Sequence, residues 1–428
     1  MTIPFDLLVS QVKLPGSNSL TDLGIKGGVI AAIGNLAGAA AKTTVQAQGR
    51  LLLPPFVEPH VHLDTTLTAG EPAWNESGTL AEGISIWSAR KKQLSREDVL
   101  ERAERTLKLL IGYGVLYVRA MVDIGDPKLT AFRAVLELKE AYRDRIHMQI
   151  IAFPQDGLIA CPDNEARMEE ALRLGADGVS AVPHLERTRE EGVLSLNKAF
   201  TLAARFGALV HVFCDETDDE HSRYLEVCAS LALATGLTSK VTAAHANAAT
   251  YYNEPYFQKL LGLVKQSGLS IVACPLINSV MQGRYDAYPK GRGITRIQDF
   301  HRAGINVALA HDDILTPFYP LGTGNPLDAA HMAAHLAHMC GRQDLNDIWG
   351  MTTFGGAKAL QLSGYGFEQG KPKVGNPASF LLFDAADPAE LIRTRNAPRY
   401  VIHKGQVVAE TMPTVTKWVH PAEKIIIF

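Results

Sequence analysis

His60 and His62, in the run Glu58-Pro-His-Val-His-Leu-Asp64, are two imidazoles one residue apart at the end of an apolar stretch. Strand side chains alternate, so both project to one face, about 7 Å apart along the strand, and can converge on one ion. Taken alone, an H-x-H is better explained by two ordinary histidines at a strand edge. Its company changes that reading. Phe153-Pro-Gln155, Cys214-Asp-Glu216, Ala244-His245 and His311-Asp-Asp313 each close another apolar run with polar residues. A metal held by such a set lowers the pKa of water from about 15.7 to about 7 and supplies hydroxide at neutral pH. Glu216 suits the transfer of a proton from that water to a substrate. Gln155 offers a donor and an acceptor together; away from a buried strand it would be an ordinary loop glutamine.

Residues that end separate strands meet only if those strands lie side by side. Short apolar runs at 56–62, 115–122, 148–153, 178–182, 208–213, 241–245, 270–274 and 305–310 alternate with helical patterns. Those patterns lie at 96–112, 129–142, 163–174, 194–205, 219–231, 256–266 and 297–303, which is the alternation of βα units. Eight runs fit an α/β fold of the (β/α)8 TIM-like barrel type, whose site is assembled from the carboxyl ends of its strands. A doubly wound sheet is the alternative, and no G-x-G-x-x-G or Walker motif supports it. The flanks, 1–55 and 371–428, read as short strands split by turns, at 5–12, 23–25, 29–33 and 51–53, then at 378–383, 400–403 and 406–410. The one helical candidate in the first flank is a short Ala-rich stretch.

Of 428 residues, 46% are hydrophobic and 20% charged, and the net charge is −3. That composition is globular and leaves no electrostatic footprint for nucleic acid or an anionic membrane. No window approaches the run of about 18 apolar residues that spans a bilayer. The opening Met-Thr-Ile-Pro-Phe-Asp-Leu-Leu lacks the basic and apolar regions of a signal peptide. Five cysteines, an odd number with no C-x-x-C pair, point to a reducing compartment, so a cytoplasmic protein is expected.

Several longer motifs carry a resemblance. Pro55-Phe-Val-Glu-Pro-His-Val-His-Leu-Asp-Thr65, Asn75-Glu-Ser-Gly-Thr-Leu80, Ala152-Phe-Pro-Gln-Asp-Gly157, Pro183-His-Leu-Glu186 and Gly283-Arg-Tyr-Asp-Ala-Tyr-Pro-Lys290 are among them. With Arg292-Gly-Ile-Thr-Arg296, Tyr319-Pro-Leu-Gly322 and the 214–216 and 311–313 triplets, the chain resembles the bacterial cytosine deaminases of the amidohydrolase superfamily. The resemblance implies a barrel over 56–370 and a composite β-sandwich from 1–55 and 371–428. It implies one divalent metal ion, iron or zinc, bound by His60, His62 and Asp312. Glu216 would shuttle a proton, His245 would hydrogen-bond the hydroxide on the metal, and Gln155 would read the pyrimidine edge. Asp313 would hold the base and its leaving amine, and Phe318 and Leu80 would also contact the substrate. The partner expected is a small heterocycle, with no nucleic acid and no membrane, and analogy with other barrels implies a homo-oligomer.

The chain departs from that family at three places. Relatives carry a third metal histidine where Phe213 stands, and His211, two residues earlier, lies about 7 Å further from the strand's carboxyl end, too far to bind without a strand slip. Met121 also replaces a histidine, and Phe318 replaces a tryptophan. The pocket is therefore expected to be reshaped. Deamination of cytosine or a 5-substituted cytosine is the first expectation. Hydrolysis of another C–N bond, in a triazine, pterin or hydantoin-like ring, is an alternative, as is a non-catalytic ligand-binding barrel that has lost tight metal binding. His331, His335 and His338 share a helical face but follow the eighth run, which suits core packing or a subunit contact. Arg90-Lys91-Lys92 reads as a solvated helix face, and Cys214, beside Asp215, as an inert thiol.

Overall fold

In the computed structural model, which describes residues 5–288, 290–368 and 370–412, eight strands lie parallel in chain order. They are Phe56–Val61, Val115–Asp123, His147–Phe153, Gly178–Val179, Leu209–Cys214, Val241–His245, Ser270–Ala273 and Asn306–Leu309. Each corresponds to one of the eight apolar runs. Their sequences are nearly unbroken in apolar character because both faces are covered; Val115–Asp123 is buried at every residue. The fourth strand pairs only at Gly178 and Val179 before the chain enters the turn Pro183–Leu185. The segments read as 1–4, Pro289 of the 283–290 motif, and 413–428 of the second β flank lie outside the described residues.

The barrel closes where its first strand meets its last. Val61 bridges Asp312 in parallel fashion. Beneath that bridge the buried carboxyl of Glu58 accepts from the backbone N–H of His60 at 3.2 Å and of His311 at 2.9 Å. One side chain thus pins both ends of the seam.

The helices follow from amphipathic stripes and capping residues. Arg96–Gly112 buries Val99, Ala103, Leu107 and Leu110, spaced three and four apart, and Ser95 accepts from the Asp98 N–H at its start. Arg189–Phe206 begins five residues before the expected 194, because Thr188 caps a polar first turn. Leu80–Arg90 and Pro275–Met281 were outside the predicted set. Arg90-Lys91-Lys92 is not a solvated face. Arg90 is buried between Glu71 and Asp98, and Lys91 reaches Asp123 at 3.3 Å and also bonds Asp156, leaving only Lys92 exposed.

The chain falls into two units. One comprises Pro55–Tyr365 with Asp387–Asn396, so the helix Pro388–Thr394 goes with the barrel. The other is built from the segments before and after it, and its strands form one large sheet and the separate pair Phe367–Glu368 and Lys371–Pro372. The large sheet runs Gln406–Glu410, Tyr400–His403, Phe380–Phe383, Leu51–Leu53, Phe5–Lys13, Leu20–Lys26 and Val29–Gly34. The Ala-rich stretch leads not into a helix but into strand Ala41–Gln46, parallel to Phe5–Lys13, where pairing outweighs alanine's helical preference. Lys404 and Gly405, both at positive φ, make the two-residue hairpin between the last two strands.

Glu58→Leu keeps the volume of the seam but leaves the N–H groups of His60 and His311 without an acceptor. The expected result is a loss of about 2 kcal/mol of unfolding free energy, read as a lower urea midpoint; an unchanged midpoint would show that the seam does not depend on this carboxyl.

Candidate functional site

The carboxyl ends of the strands bring the predicted residues to one place. His60 Nε2 and His62 Nε2 each lie 3.7 Å from the same oxygen, Asp312 Oδ1. His245 Nδ1 is 4.0 Å from Asp312 Oδ2, and its Nε2 is 3.6 Å from Glu216 Oε2. His62, Leu80, Gln155, Glu216, His245, Asp312, Asp313 and Phe318 line one pocket, with Phe153, Val182, Phe213 and Ile277 among its apolar walls. His60 is fully buried. His331 and His335 are elsewhere: their Nδ1 atoms meet the carbonyls of Ile392 and His331 at 3.1 and 2.8 Å.

Three of these residues hold backbone conformations that side chains normally avoid. Asp215, His245 and Asp312 lie at φ of 57°, 69° and 70°. Such left-handed geometry is costly and persists where surrounding contacts impose it. Thr295 Oγ1 donates to the His245 carbonyl, and Asp215 accepts from Ser222 Oγ at 2.6 Å and from the N–H groups of Tyr224 and Leu225. Asp215 therefore braces its loop, leaving Glu216 to face the pocket.

Burial dominates the electrostatics. It holds His62 and His245 down to about 3, and His60 well below the usual imidazole range with His211, His245 and His62 adding to the effect. The carboxyls move the other way. Burial, then the Asp313 charge, pushes Glu216 up to about 8, and burial raises Asp313 to about 7. Asp312 is held well above its usual range by burial and by Asp313 and Glu216.

One ligating atom each from His60, His245 and Asp312 lies within 4.8 Å of the others. His60 Nε2, His245 Nε2 and Asp312 Oδ1 are buried with no hydrogen-bond partner among the described residues. Unpartnered buried polar atoms are costly, and two imidazoles with a carboxylate are the donor set of a divalent cation. The residue types therefore fit a metal, and His62 Nε2 is 3.7 Å from Asp312 Oδ1 as well.

The residues at which the chain departs from the family pattern pack together. Met121, Ile151, Phe153, Val182 and Phe213 form one buried apolar cluster, and Phe213 stacks on Phe153 at 4.5 Å and 22°. The Phe213 ring centroid is 4.7 Å from that of His60 and 5.1 Å from that of His245. Met121 and Phe213 thus belong to a single hydrophobic packing unit.

Residues 77–409 match the profile of the amidohydrolase family. The chain belongs to that family. This amidohydrolase is similar in structure to 5-methylcytosine deaminase from Klebsiella pneumoniae, solved with 5-fluorocytosine, at 41% identity and a TM-score of 0.91, covering 97% of this chain and 100% of that one. In sequence it is 27% identical to pterin deaminase of Rhizobium rhizogenes over 88% of this chain and 85% of the relative. It is 26% identical to N-isopropylammelide isopropyl amidohydrolase of Pseudomonas sp. strain ADP, over 96% of this chain and 98% of the relative.

Sequence reasoning missed two groups at the site of this amidohydrolase. Asn278, on Pro275–Met281, donates to Glu216 Oε1 at 3.3 Å and lies 3.3 Å from His245 Nδ1, tying the two together. It follows the seventh strand's end by five residues, a polar position that could have been read with the others. Arg119, inside the second strand, donates toward His211, Thr242 and the Ala359 carbonyl.

In chelator-treated protein, burial keeps Glu58 and Glu216 protonated up to about 8. An unfolded glutamate titrates near about 4.3 and an unfolded histidine near about 6.5. Between about pH 6.5 and 8 the folded chain holds protons that the unfolded chain has lost, so stability falls as pH rises through that window. Below it, the neutral His62 and His245 act in the opposite sense. The urea midpoint should be lower at the top of the window than at the bottom; a flat or rising profile would contradict protonated carboxyls.

Proposed function

We propose that the protein is a metal-dependent hydrolytic deaminase of cytosine or a related amino-substituted heterocycle, 5-substituted cytosines included, consuming water and releasing ammonia. The observation that carries this reading is the convergence of Gln155, Glu216, His245, Asp312 and Asp313 on one pocket in a chain so similar to a 5-methylcytosine deaminase.

Each residue then has a task set by its chemistry. Gln155 meets the mixed carbonyl and N–H edge of the ring with its acceptor and donor. Glu216, held protonated near neutral pH by burial, gives its proton to the ring nitrogen beside the amino-bearing carbon. That transfer makes the carbon electrophilic, and Glu216 recovers a proton from the attacking water. His245, neutral and 3.6 Å from Glu216, orients that water. Asp313 holds the exocyclic amine as it takes the last proton and leaves as ammonia. Leu80 and Phe318 wall the ring. His60, His62 and Asp312 would hold a divalent cation, iron or zinc, which when bound would acidify water to a pKa of about 7. Five free cysteines accord with a cytoplasmic location, and homo-oligomerisation belongs to the same reading by analogy.

A second reading, release of an alkylamine from a ring C–N bond, is favoured by the similarity to the isopropylammelide enzyme. A panel of cytosine, 5-methylcytosine, 5-fluorocytosine, an aminopterin ring and an N-alkylaminotriazine separates the two. Ammonia from a cytosine, with uracil-type product, is expected. Alkylamine release alone, a ring-opened product, or no turnover in iron- and zinc-reconstituted protein would overturn deamination. Glu216→Gln should lower kcat by about a hundred- to ten-thousand-fold.

A further inference from the structure

His211 was set aside as too deep to replace a ligand, yet it touches one. Its Nε2 is 2.8 Å from His60 Nδ1, and its Nδ1 is 3.2 Å from Arg119 Nη1. All three side chains are fully buried. This row has a direction. A guanidinium has five N–H donors and no acceptor, and the others on Arg119 point at Gln149 Oε1, Thr242 Oγ1 and the Ala359 carbonyl. The nitrogen of His211 that faces Arg119 must therefore accept. His211 then carries its hydrogen on Nε2 and donates it to His60 Nδ1. A second hydrogen on His60 Nδ1 would set N–H against N–H at 2.8 Å. His60 is left with its hydrogen on Nε2, the atom 3.7 Å from Asp312 Oδ1.

We propose that Arg119 and His211 are positioning residues that set the tautomer of His60, so that it offers an N–H, not a lone pair, to the space shared with Asp312. This rests on the reading of His60 as a metal ligand. Histidine ligands normally donate their second N–H to a carboxylate, a carbonyl or water, which leaves the lone pair on the metal side. Here the polarity of that outer hydrogen bond is reversed. The reversal cannot relax by passing hydrogens along the row, because its far end is an arginine. A cation can use His60 Nε2 only after the His60–His211 hydrogen bond is broken. The Phe213 ring, 4.7 Å from His60 and 6.4 Å from His211, packs against both rings that would have to turn. Weak metal retention is thus built into the row.

Two measurements test this without turnover. In ion-free protein labelled with 15N-histidine, with His60 assigned by its loss in His60→Gln, the ring hydrogen should reside on Nε2. A His60 hydrogen on Nδ1 overturns the proposal. Zinc affinity by chelator competition is the second measurement. His211→Asp and His211→Asn both present an acceptor to His60 Nδ1 and should bind zinc roughly 10- to 100-fold more tightly than the parent. Equal or weaker binding in both, with parental circular dichroism and Tm, also overturns it. Unchanged zinc binding in His60→Gln would instead remove the ligand role on which it rests, whereas failure of the substrate panel leaves both results standing.

Discussion

A closed cylinder of strands has one seam, and in this protein the two segments that meet there are those that carry His60, His62 and Asp312. The side-chain repeat of a strand is two residues, so a slip of one at the seam would turn both histidines from the interior to the helix layer. The Val61–Asp312 bridge and the Glu58 carboxyl under it prevent that slip. The distance of each imidazole from Asp312 is therefore a property of the closure as much as of the histidines. Asp312, three residues past the end of the last strand, lies at positive φ, and its side chain lines the pocket.

Buried charge is the second constraint. Glu216, Asp312 and Asp313 crowd one end of the barrel with three imidazoles that burial keeps neutral, and the buried guanidinium of Arg119 lies on the far side of His211. Such a set is tolerable as neutral acids or beside a cation, and little else relieves it. The same burial that strands these groups also prepares Glu216 to hold a proton at neutral pH. Stability and chemistry draw on one cause here, and the apolar cluster around Phe213 and Met121 intensifies it.

How far the sequence could be read depended on whether a signal was local. All eight barrel strands were legible because each is a continuous apolar run, and of the polar residues that close five of them His62, Gln155, Glu216, His245, Asp312 and Asp313 line the pocket. The helix Leu80–Arg90 was not, since Gly83 and Ser88 interrupt a weak stripe, and Pro275–Met281 follows its strand without a spacer. Arg90 and Lys91 looked solvated because their acidic partners Glu71, Asp98, Asp123 and Asp156 are distant in sequence. The Arg119–His211–His60 row was invisible for the same reason. Strand periodicity placed His211 below Phe213 correctly, but nothing local says which rings meet across a barrel.

One feature of the pocket wall has a bearing on the size of ring it admits. Gly83, on the helix Leu80–Arg90, lies so close to Phe318 that a β-carbon there would come within 2.8 Å of its Cδ1. The missing methyl lets the Phe318 ring lean back against the helix. Position 83 therefore acts as a backstop. Alanine in its place would drive the phenyl group forward and narrow the slot, and a bulkier neighbour would close it to substituted rings while leaving every polar group in place.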